Sequence, residues 1–225
     1  VLGCATFCGR SYKVTPDVLI PRPETEELVA WGIEKMHGLS GYASSVSDKK
    51  SSASKQLCVL DAGTGSGCIA ISLKLALDEA NVTAWDISDA ALEVARKNAQ
   101  QLGARVHFEH HDMLQMPSVN DVLQYHLIVS NPPYICQSEA MEMERRVLDF
   151  EPHCALFVPD DDPLRFYRVL CRLAQRLLLP GGWLLVEINR AYAEHTAALM
   201  RESGLHEVEV REDAYGNPRM VGGRM

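Results

Sequence analysis

What this sequence lacks narrows what it can be. It has no apolar run long enough to cross a bilayer and no visible signal peptide, so neither membrane insertion nor secretion is expected. Its seven cysteines are odd in number, scattered and never spaced Cys-x-x-Cys. That argues against a zinc site or a disulfide framework and for a reducing compartment, cytoplasmic or organellar, with the cytoplasm expected; no metal site is expected. Basic residues are in deficit, 22 Lys and Arg against 30 Asp and Glu, for a formal net charge of −8. A general nucleic-acid binder is disfavoured, because neutralising phosphates takes clustered cations. Aromatics make up only 7% while Ala, Leu and Val abound, a balance that suits helices packed on a buried sheet. No internal repeat is visible. What is present, 225 residues with 47% hydrophobic content, suffices for one sizeable core. The first residue is Val1 rather than Met, so the chain is expected to be part of a longer protein.

Residues 1–22 read as an extended lead-in or hairpin, with a turn at Phe7-Cys-Gly9-Arg10 and strand-like Tyr12, Val14, Val18 and Ile20. Pro23-Glu24-Thr-Glu26 starts a helix that continues through Met36, with proline near its first position and acids in its first turn. Residues 38–56, rich in Ser, Ala, Lys and Gly, are expected to form a mobile loop. Strands and helices then alternate. Strands are expected at Leu57–Leu60, Val82–Trp85, Arg105–Phe108, Leu127–Ser130, Trp183–Ile188, Glu207–Arg211 and Arg219–Gly223. Helices are expected at Ser66–Ala80, from Ser88 to Leu102, roughly Glu139–Leu148, Pro163–Leu179 and Ala191–Ser203, with Pro180-Gly-Gly182 as a turn. This alternation implies a doubly wound, mostly parallel sheet.

The most informative residues are Asn131-Pro132-Pro133-Tyr134, directly after the apolar run His126–Ser130. Two prolines offer no N–H to a ladder, so the strand must stop there. Asn131 precedes a proline and is biased to extended geometry. Its side chain is thereby held at a strand's C-terminal tip, where open α/β sheets bind ligands. An Asn amide oxygen, the Pro132 carbonyl and the Tyr134 ring together suit a flat, neutral –NH2 group: two acceptors for its N–H bonds and a face to cover it.

A second loop, Asp61-Ala-Gly63-Thr64-Gly65-Ser66-Gly67, lies between a strand and a helix. Its glycines let backbone approach a ligand closely, and the helix behind directs N–H groups at an anionic end. Asp86 ends the next strand, where a carboxylate can hold both ribose hydroxyls. The pair points to an adenosine ligand. Gly65-Ser-Gly67-Cys-Ile-Ala70 also fits the NAD pattern, and a plain strand-to-helix turn is the bland reading. The tetrad at the fourth strand favours S-adenosylmethionine, because a bound –NH2 facing a methyl donor is the simpler arrangement. Asp112, at another strand tip, is a further candidate. Glu24 and Thr25 either line the substrate mouth or merely complement the helix dipole. Glu151 either braces the active-site loop or is structural, Glu187 reads as structural, and Arg145-Arg146 as a solvated helix face.

In this order, Ile20-Pro-Arg-Pro-Glu-Thr-Glu26, Asp61-x-Gly-Thr-Gly-Ser-Gly67, Asn131-Pro-Pro-Tyr134 and Glu151-Pro-x-x-Ala-Leu156 make the chain resemble the release-factor glutamine methyltransferases (the PrmC/HemK family). The likeness runs from Phe7-x-Gly9 to Arg219. It implies a Rossmann-like, class I S-adenosylmethionine-dependent methyltransferase fold with a seven-stranded sheet. It also implies methyl transfer to the side-chain nitrogen of the glutamine in a Gly-Gly-Gln loop of class 1 peptide chain release factors, with S-adenosylhomocysteine as product. By motif position, Asp61, Gly63 to Gly67 and Asp86 contact the cofactor, Asp112 and Met113 sit by the adenine, and Asn131 touches cofactor and substrate. Asn131, Pro132, Pro133 and Tyr134, with Glu24 and Thr25, hold the glutamine. The resemblance further implies that 1–22 leads in from a missing small helical domain, that 23–225 is the catalytic domain, and that the partner is a release factor rather than nucleic acid or membrane, met as a monomer. Met113 stands where some members carry an aromatic, and Asn189 where a glycine is common. Asn-Pro-Pro-Tyr alone is shared with adenine amino-methyltransferases, so methylation of adenine N6 in DNA or RNA is the alternative enzyme. A cofactor-binding scaffold in an RNA or ribosome assembly is the non-enzymatic one.

Overall fold

Period-two alternation in the apolar strands builds the molecule around one sheet. The computed structural model describes residues 3–46, 56–117, 124–142, 148 and 150–225. The strands are β1 (Cys4–Phe7), β2 (Arg10–Lys13), β3 (Cys58–Ala62), β4 (Asn81–Asp86), β5 (His107–His110), β6 (Tyr125–Ser130), β7 (Ile135–Cys136), β8 (Phe157–Val158), β9 (Leu178–Glu187), β10 (His206–Glu212) and β11 (Pro218–Arg224). Seven of them form the central sheet in the order β10-β11-β9-β6-β3-β4-β5. β9, β6, β3, β4 and β5 are mutually parallel, and β11 is antiparallel to both its neighbours. Val59, Leu127, Val129 and Leu185 face helices α1 (Pro23–Val46), α2 (Cys68–Ala76) and α3 (Asp89–Leu102). Leu60, Ile128, Leu184 and Val186 face α4 (Arg165–Leu177) and α5 (Ala193–Glu202). Both faces are covered, as a doubly wound parallel sheet requires.

The topology puts the winding reversal between β3 and β6, which pair in register from Val59↔Leu127 to Asp61↔Val129. The connections from β3 lead one way to β4 and β5, whereas β6 leads on to β9. The strand tips on either side of a reversal diverge and leave a crevice. The glycine turn after β3 and the double-proline tetrad after β6 therefore open onto the same crevice.

Several boundaries differ from those expected, each for a local reason. The first helix runs to Val46, through the start of the segment expected as a loop; residues 47–55 lie outside the described residues. Helix α2 starts at Cys68 rather than Ser66 because Gly67 sits at φ +82, which no right-handed helix admits. β5 begins two residues late, at His107. Pro180-Gly-Gly182 is a bulge inside β9 rather than a turn before a strand: β6 advances from Tyr125 to Leu127 while β9 advances from Leu178 to Trp183. Of the helix expected near Glu139–Leu148, a 3-10 turn over Gln137–Glu142 is observed, and Arg145 and Arg146 lie outside the described residues.

The lead-in is a docked hairpin. Cys8 and Gly9, both at positive φ, make its two-residue turn. The Asn98 amide, buried on α3, accepts from the Lys13 N–H (2.8 Å) and donates to the Lys13 carbonyl (3.0 Å). It donates also to the Ser66 carbonyl (2.9 Å), so one side chain ties hairpin, helix and glycine turn together. Val14 and Val18, expected as strand residues, instead pack on Ala91 and Val94 of α3.

Candidate active site

The crevice is a cleft with about 870 Å3 of empty space, open solvent at its mouth included. Gly63, Thr64, Gly65, Ser66 and Asp86 line it from the glycine turn and the tip of β4, Thr25, Asn131 and Pro133 from the start of α1 and the tetrad, and Met113 from the loop after β5.

The glycine wall is made largely of backbone. The N–H groups of Gly63 and Thr64 both donate to the Trp85 carbonyl (2.9 and 2.8 Å), locking the turn onto the end of β4. The Gly65 N–H donates to Asp86 Oδ2 (2.8 Å) and the Ser88 N–H to Oδ1 (2.9 Å). Each Asp86 oxygen keeps further acceptor capacity toward the cleft. Burial raises the Asp86 carboxyl above its usual range, and the N–H groups of Ser88, Gly65 and Ile87 pull it back. Below the turn, Asp61 is fully buried. Its Oδ2 accepts from Thr64 Oγ1 (2.7 Å) and from the Ala70 N–H (3.1 Å), while Oδ1 has no partner among the described residues. Burial pushes Asp61 up to about 7.

The tetrad wall is made of side chains drawn from distant segments. Asn131 Nδ2 donates to Thr25 Oγ1 on α1 (3.1 Å), and Thr25 Oγ1 donates to Glu187 Oε2 at the end of β9 (2.6 Å). The Tyr134 hydroxyl donates to the other oxygen, Oε1, at 3.0 Å. Burial, with the Glu187 charge adding, holds the Tyr134 phenol far above its ordinary value, so it remains a proton donor. Asn189 Nδ2 donates to the Tyr134 carbonyl (3.2 Å) and to Glu139 (3.0 Å), and Asn189 Oδ1 accepts from the Ala191 N–H (3.0 Å). Asn189 thus fastens the tetrad's last peptide. β7, directly after Tyr134, pairs with β8, and the Ile135 N–H donates to the Leu156 carbonyl (3.0 Å), which sets Glu151–Leu156 beside the tetrad.

The lead-in forms a third wall. Asp17, Val18, Leu19, Pro21 and Arg22 border the cleft, as do Cys154 and Phe166. Buried Glu151 holds this wall down, accepting from Arg22 (2.6 Å) and from the Ile20 N–H (3.1 Å). Glu151 therefore braces the lead-in, not the tetrad directly.

Not every expected site residue borders the cleft. Asp61 and Gly67 lie behind the turn, Pro132 is buried, and Glu24 is half-buried beside Glu187. The Tyr134 ring is anchored away from the main cleft by its bond to Glu187. Asp112 spends its oxygens on the Leu114 N–H (2.9 Å) and Gln115, leaving Met113 as the residue of that pair on the cleft.

The chain matches the family model described as a methyltransferase domain over residues 53–217. It is 45% identical to the release factor glutamine methyltransferase of Bacteroides thetaiotaomicron, over 98% of this chain and 73% of that protein. With the enzyme of the same name from Bordetella pertussis it shares 43% identity, over 99% of this chain and 76% of that one. The chain belongs to the release factor glutamine methyltransferase family. Among solved structures, it resembles a release factor-specific protein-(glutamine-N5) methyltransferase from Alicyclobacillus acidocaldarius. That likeness has a TM-score of 0.53 and 28% identity, covering 95% of this chain and 98% of the other. The sheet order is that of a Rossmann-like class I methyltransferase, as expected.

The release factor glutamine methyltransferases are S-adenosylmethionine-dependent, and the residues here fit that cofactor. A Cβ built on Gly65 meets no atom within 4 Å, so the missing side chain leaves free space. The orphaned Asp61 Oδ1 is a buried acceptor suited to a cation, and Asp86 is a carboxylate suited to a pair of hydroxyls. Sequence reasoning missed the lead-in wall and the hub role of Glu187. Pro21 and Arg22 sit in a quoted motif, yet nothing local shows that the segment folds back over the turn. Cys154 and Phe166 carried no signal at all.

Proposed function

We propose that this protein transfers a methyl group from S-adenosylmethionine to the side-chain amide nitrogen of the glutamine in the Gly-Gly-Gln loop of class 1 peptide chain release factors. One observation carries the reading beyond family membership: the glycine turn and Asn131 line a single cleft at the reversal of the sheet.

When bound, the cofactor supplies an electrophilic sulfonium methyl group. The chain's own residues bind and aim. The Gly63–Ser66 turn would hold the cofactor's methionine end, with Asp61 behind it, Asp86 would accept from its ribose hydroxyls, and Met113 would cover its adenine. A carboxamide nitrogen is a weak nucleophile because its lone pair is delocalised into the carbonyl. Asn131 Oδ1 and the Pro132 carbonyl accept its two N–H bonds and direct the nitrogen at the donor, with Pro133 bounding the planar group; as the nitrogen–methyl bond forms and the methyl–sulfur bond breaks, S-adenosylhomocysteine leaves and one amide proton is released to water. This is catalysis by orientation and fixed dipoles, without a covalent enzyme intermediate. Thr25 and Glu24 act from behind, at the start of α1.

Mass spectrometry of a class 1 release factor after incubation with the protein and S-adenosylmethionine tests the reading. One added methyl on the Gly-Gly-Gln glutamine is expected. An unmodified release factor together with methylated adenine in RNA or DNA overturns it.

A further inference from the structure

Glu187 lies 1% exposed at the C-terminal end of β9, and two different hydroxyls donate to its two oxygens. A hydroxyl carries one proton. Thr25 commits its proton to Glu187 Oε2 at 2.6 Å, so toward Asn131 it can only accept. Asn131 must then present Nδ2 to Thr25, as it does at 3.1 Å, and its Oδ1 end is turned the other way. Orientation of a carboxamide is decided by its hydrogen-bond network, since its two ends have nearly the same shape.

We infer, on the glutamine-amide reading above, that Glu187 is a positioning residue: through Thr25 it sets the polarity of the Asn131 carboxamide so that an acceptor, not a donor, faces the substrate –NH2. With the opposite polarity, Asn131 would oppose the substrate's N–H groups with its own. The same carboxylate anchors Tyr134, so one buried charge orients both ends of the tetrad. Thr25, Asn131 and Glu187 come from three separate segments of chain, which explains why sequence reading gave Glu187 only a structural role.

The charge state of Glu187 matters to this device. Glu24 and Thr25 face it from α1, Tyr134 from the tetrad and Arg219 from β11. Tyr167, on α4, donates to its backbone carbonyl, and Arg22 acts on Tyr134. Burial raises the Glu187 carboxyl above the usual range; the Thr25 and Tyr134 hydrogen bonds and the Arg219 charge oppose that, and Glu24 adds to it. A protonated Glu187 can donate to Thr25, which frees the Thr25 proton for Asn131 Oδ1 and reverses the chain.

The test compares Glu187→Gln, Thr25→Val and Thr25→Ser with the unaltered protein. Glu187→Gln must offer an –NH2 to one of two hydroxyls that both donate, and Thr25→Val removes the relay. Each is expected to lower kcat on the order of 100-fold, the scale of a misplaced reacting group, with cofactor Kd and melting temperature little changed. Thr25→Ser is expected to recover most of the kcat lost in Thr25→Val. The unaltered protein is expected to lose kcat at low pH as Glu187 gains a proton, and that acid limb should disappear in Glu187→Gln. A readout without substrate or cofactor accompanies these: the Asn131 side-chain amide resonances in 15N-labelled protein should shift in both Glu187→Gln and Thr25→Val. Unaltered kcat and unshifted Asn131 resonances in these two variants overturn the assignment. So does a kcat loss that tracks melting temperature while the acid limb persists. If the unaltered protein fails to methylate the glutamine, the methyl-transfer reading fails instead, and the resonance shifts still decide whether the relay exists.

Discussion

The two walls of the cleft are built in opposite ways. The glycine wall is local and made of backbone: Gly63, Thr64 and Gly65 are held by the end of the neighbouring strand, and the charged partner, Asp86, follows within one βαβ unit. The tetrad wall is non-local and made of side chains, with Asn131, Thr25, Tyr134, Glu187, Asn189 and Glu139 joined across four segments. A local backbone device is robust to changes elsewhere and fails when its own conformation is disturbed. A side-chain relay is sensitive to the loss of its linking members, because the Thr25 and Tyr134 hydroxyls each commit their one proton to Glu187. Binding is therefore expected to be lost through the first wall and turnover through the second.

The sharpest way to break this contrast is Asn131→Ala, which removes one of the two acceptors for the substrate amide. It should lower kcat on the order of 10^3-fold while cofactor Kd, read by calorimetry, stays largely intact. Equal losses in binding and turnover would merge the two walls. Next in size is Gly67→Ala. Gly67 lies at φ +82, and a Cβ there would come 2.9 Å from Ile71 Cδ1 and 3.0 Å from Ala95 Cβ. Backbone strain of about 2 kcal/mol should appear as a lower melting temperature and weaker cofactor binding, with kcat at saturation much less affected.

A pH series sharpens the first wall further. Asp61 sits at about 7 in the folded chain against an ordinary value of 3.8. The folded state therefore holds the proton more tightly between those limits. Asp61's contribution to stability is full below the lower value and is lost as pH rises through 7. A cationic ligand reverses the preference, since it needs the carboxylate. Cofactor affinity should rise as pH climbs toward 7, by at most about tenfold per unit, with proton release visible as a dependence of the calorimetric heat on buffer ionisation enthalpy. Asp61→Asn should flatten both profiles. The smallest expected effect is that of Asn189→Ala, which frees the Tyr134 carbonyl and Glu139. A cost of about 1 kcal/mol is expected, seen in kcat rather than in cofactor Kd.

The glycine turn and its following acid are legible in the sequence, because glycine spacing follows from close backbone approach within one continuous stretch, although Asp61 and Gly67 lie behind the cleft rather than on it. The double-proline tetrad was equally legible, since Pro132 and Pro133 end a strand wherever they occur. The apolar runs place the two strands flanking the reversal to within two residues. The Ser- and Ala-rich end of α1 was read as loop because its composition carries no strong periodicity, yet those residues are compatible with helix once the preceding turns are anchored. Glu187 and Asn189 were opaque for a different reason. An acid and an amide at a strand's end mean nothing until the sheet order sets β9 beside β6.

By itself, the sequence determined where strands stop, where the backbone can meet a ligand, and which side chains could accept amide hydrogens; each follows from a neighbour's geometry. Only the tertiary structure decided that the lead-in closes the cleft, that Glu151 pins it, and that Glu187 and Thr25 orient Asn131. Those relations depend on which distant segments share a face, and hydrogen bonds between side chains exist only after the sheet has been wound.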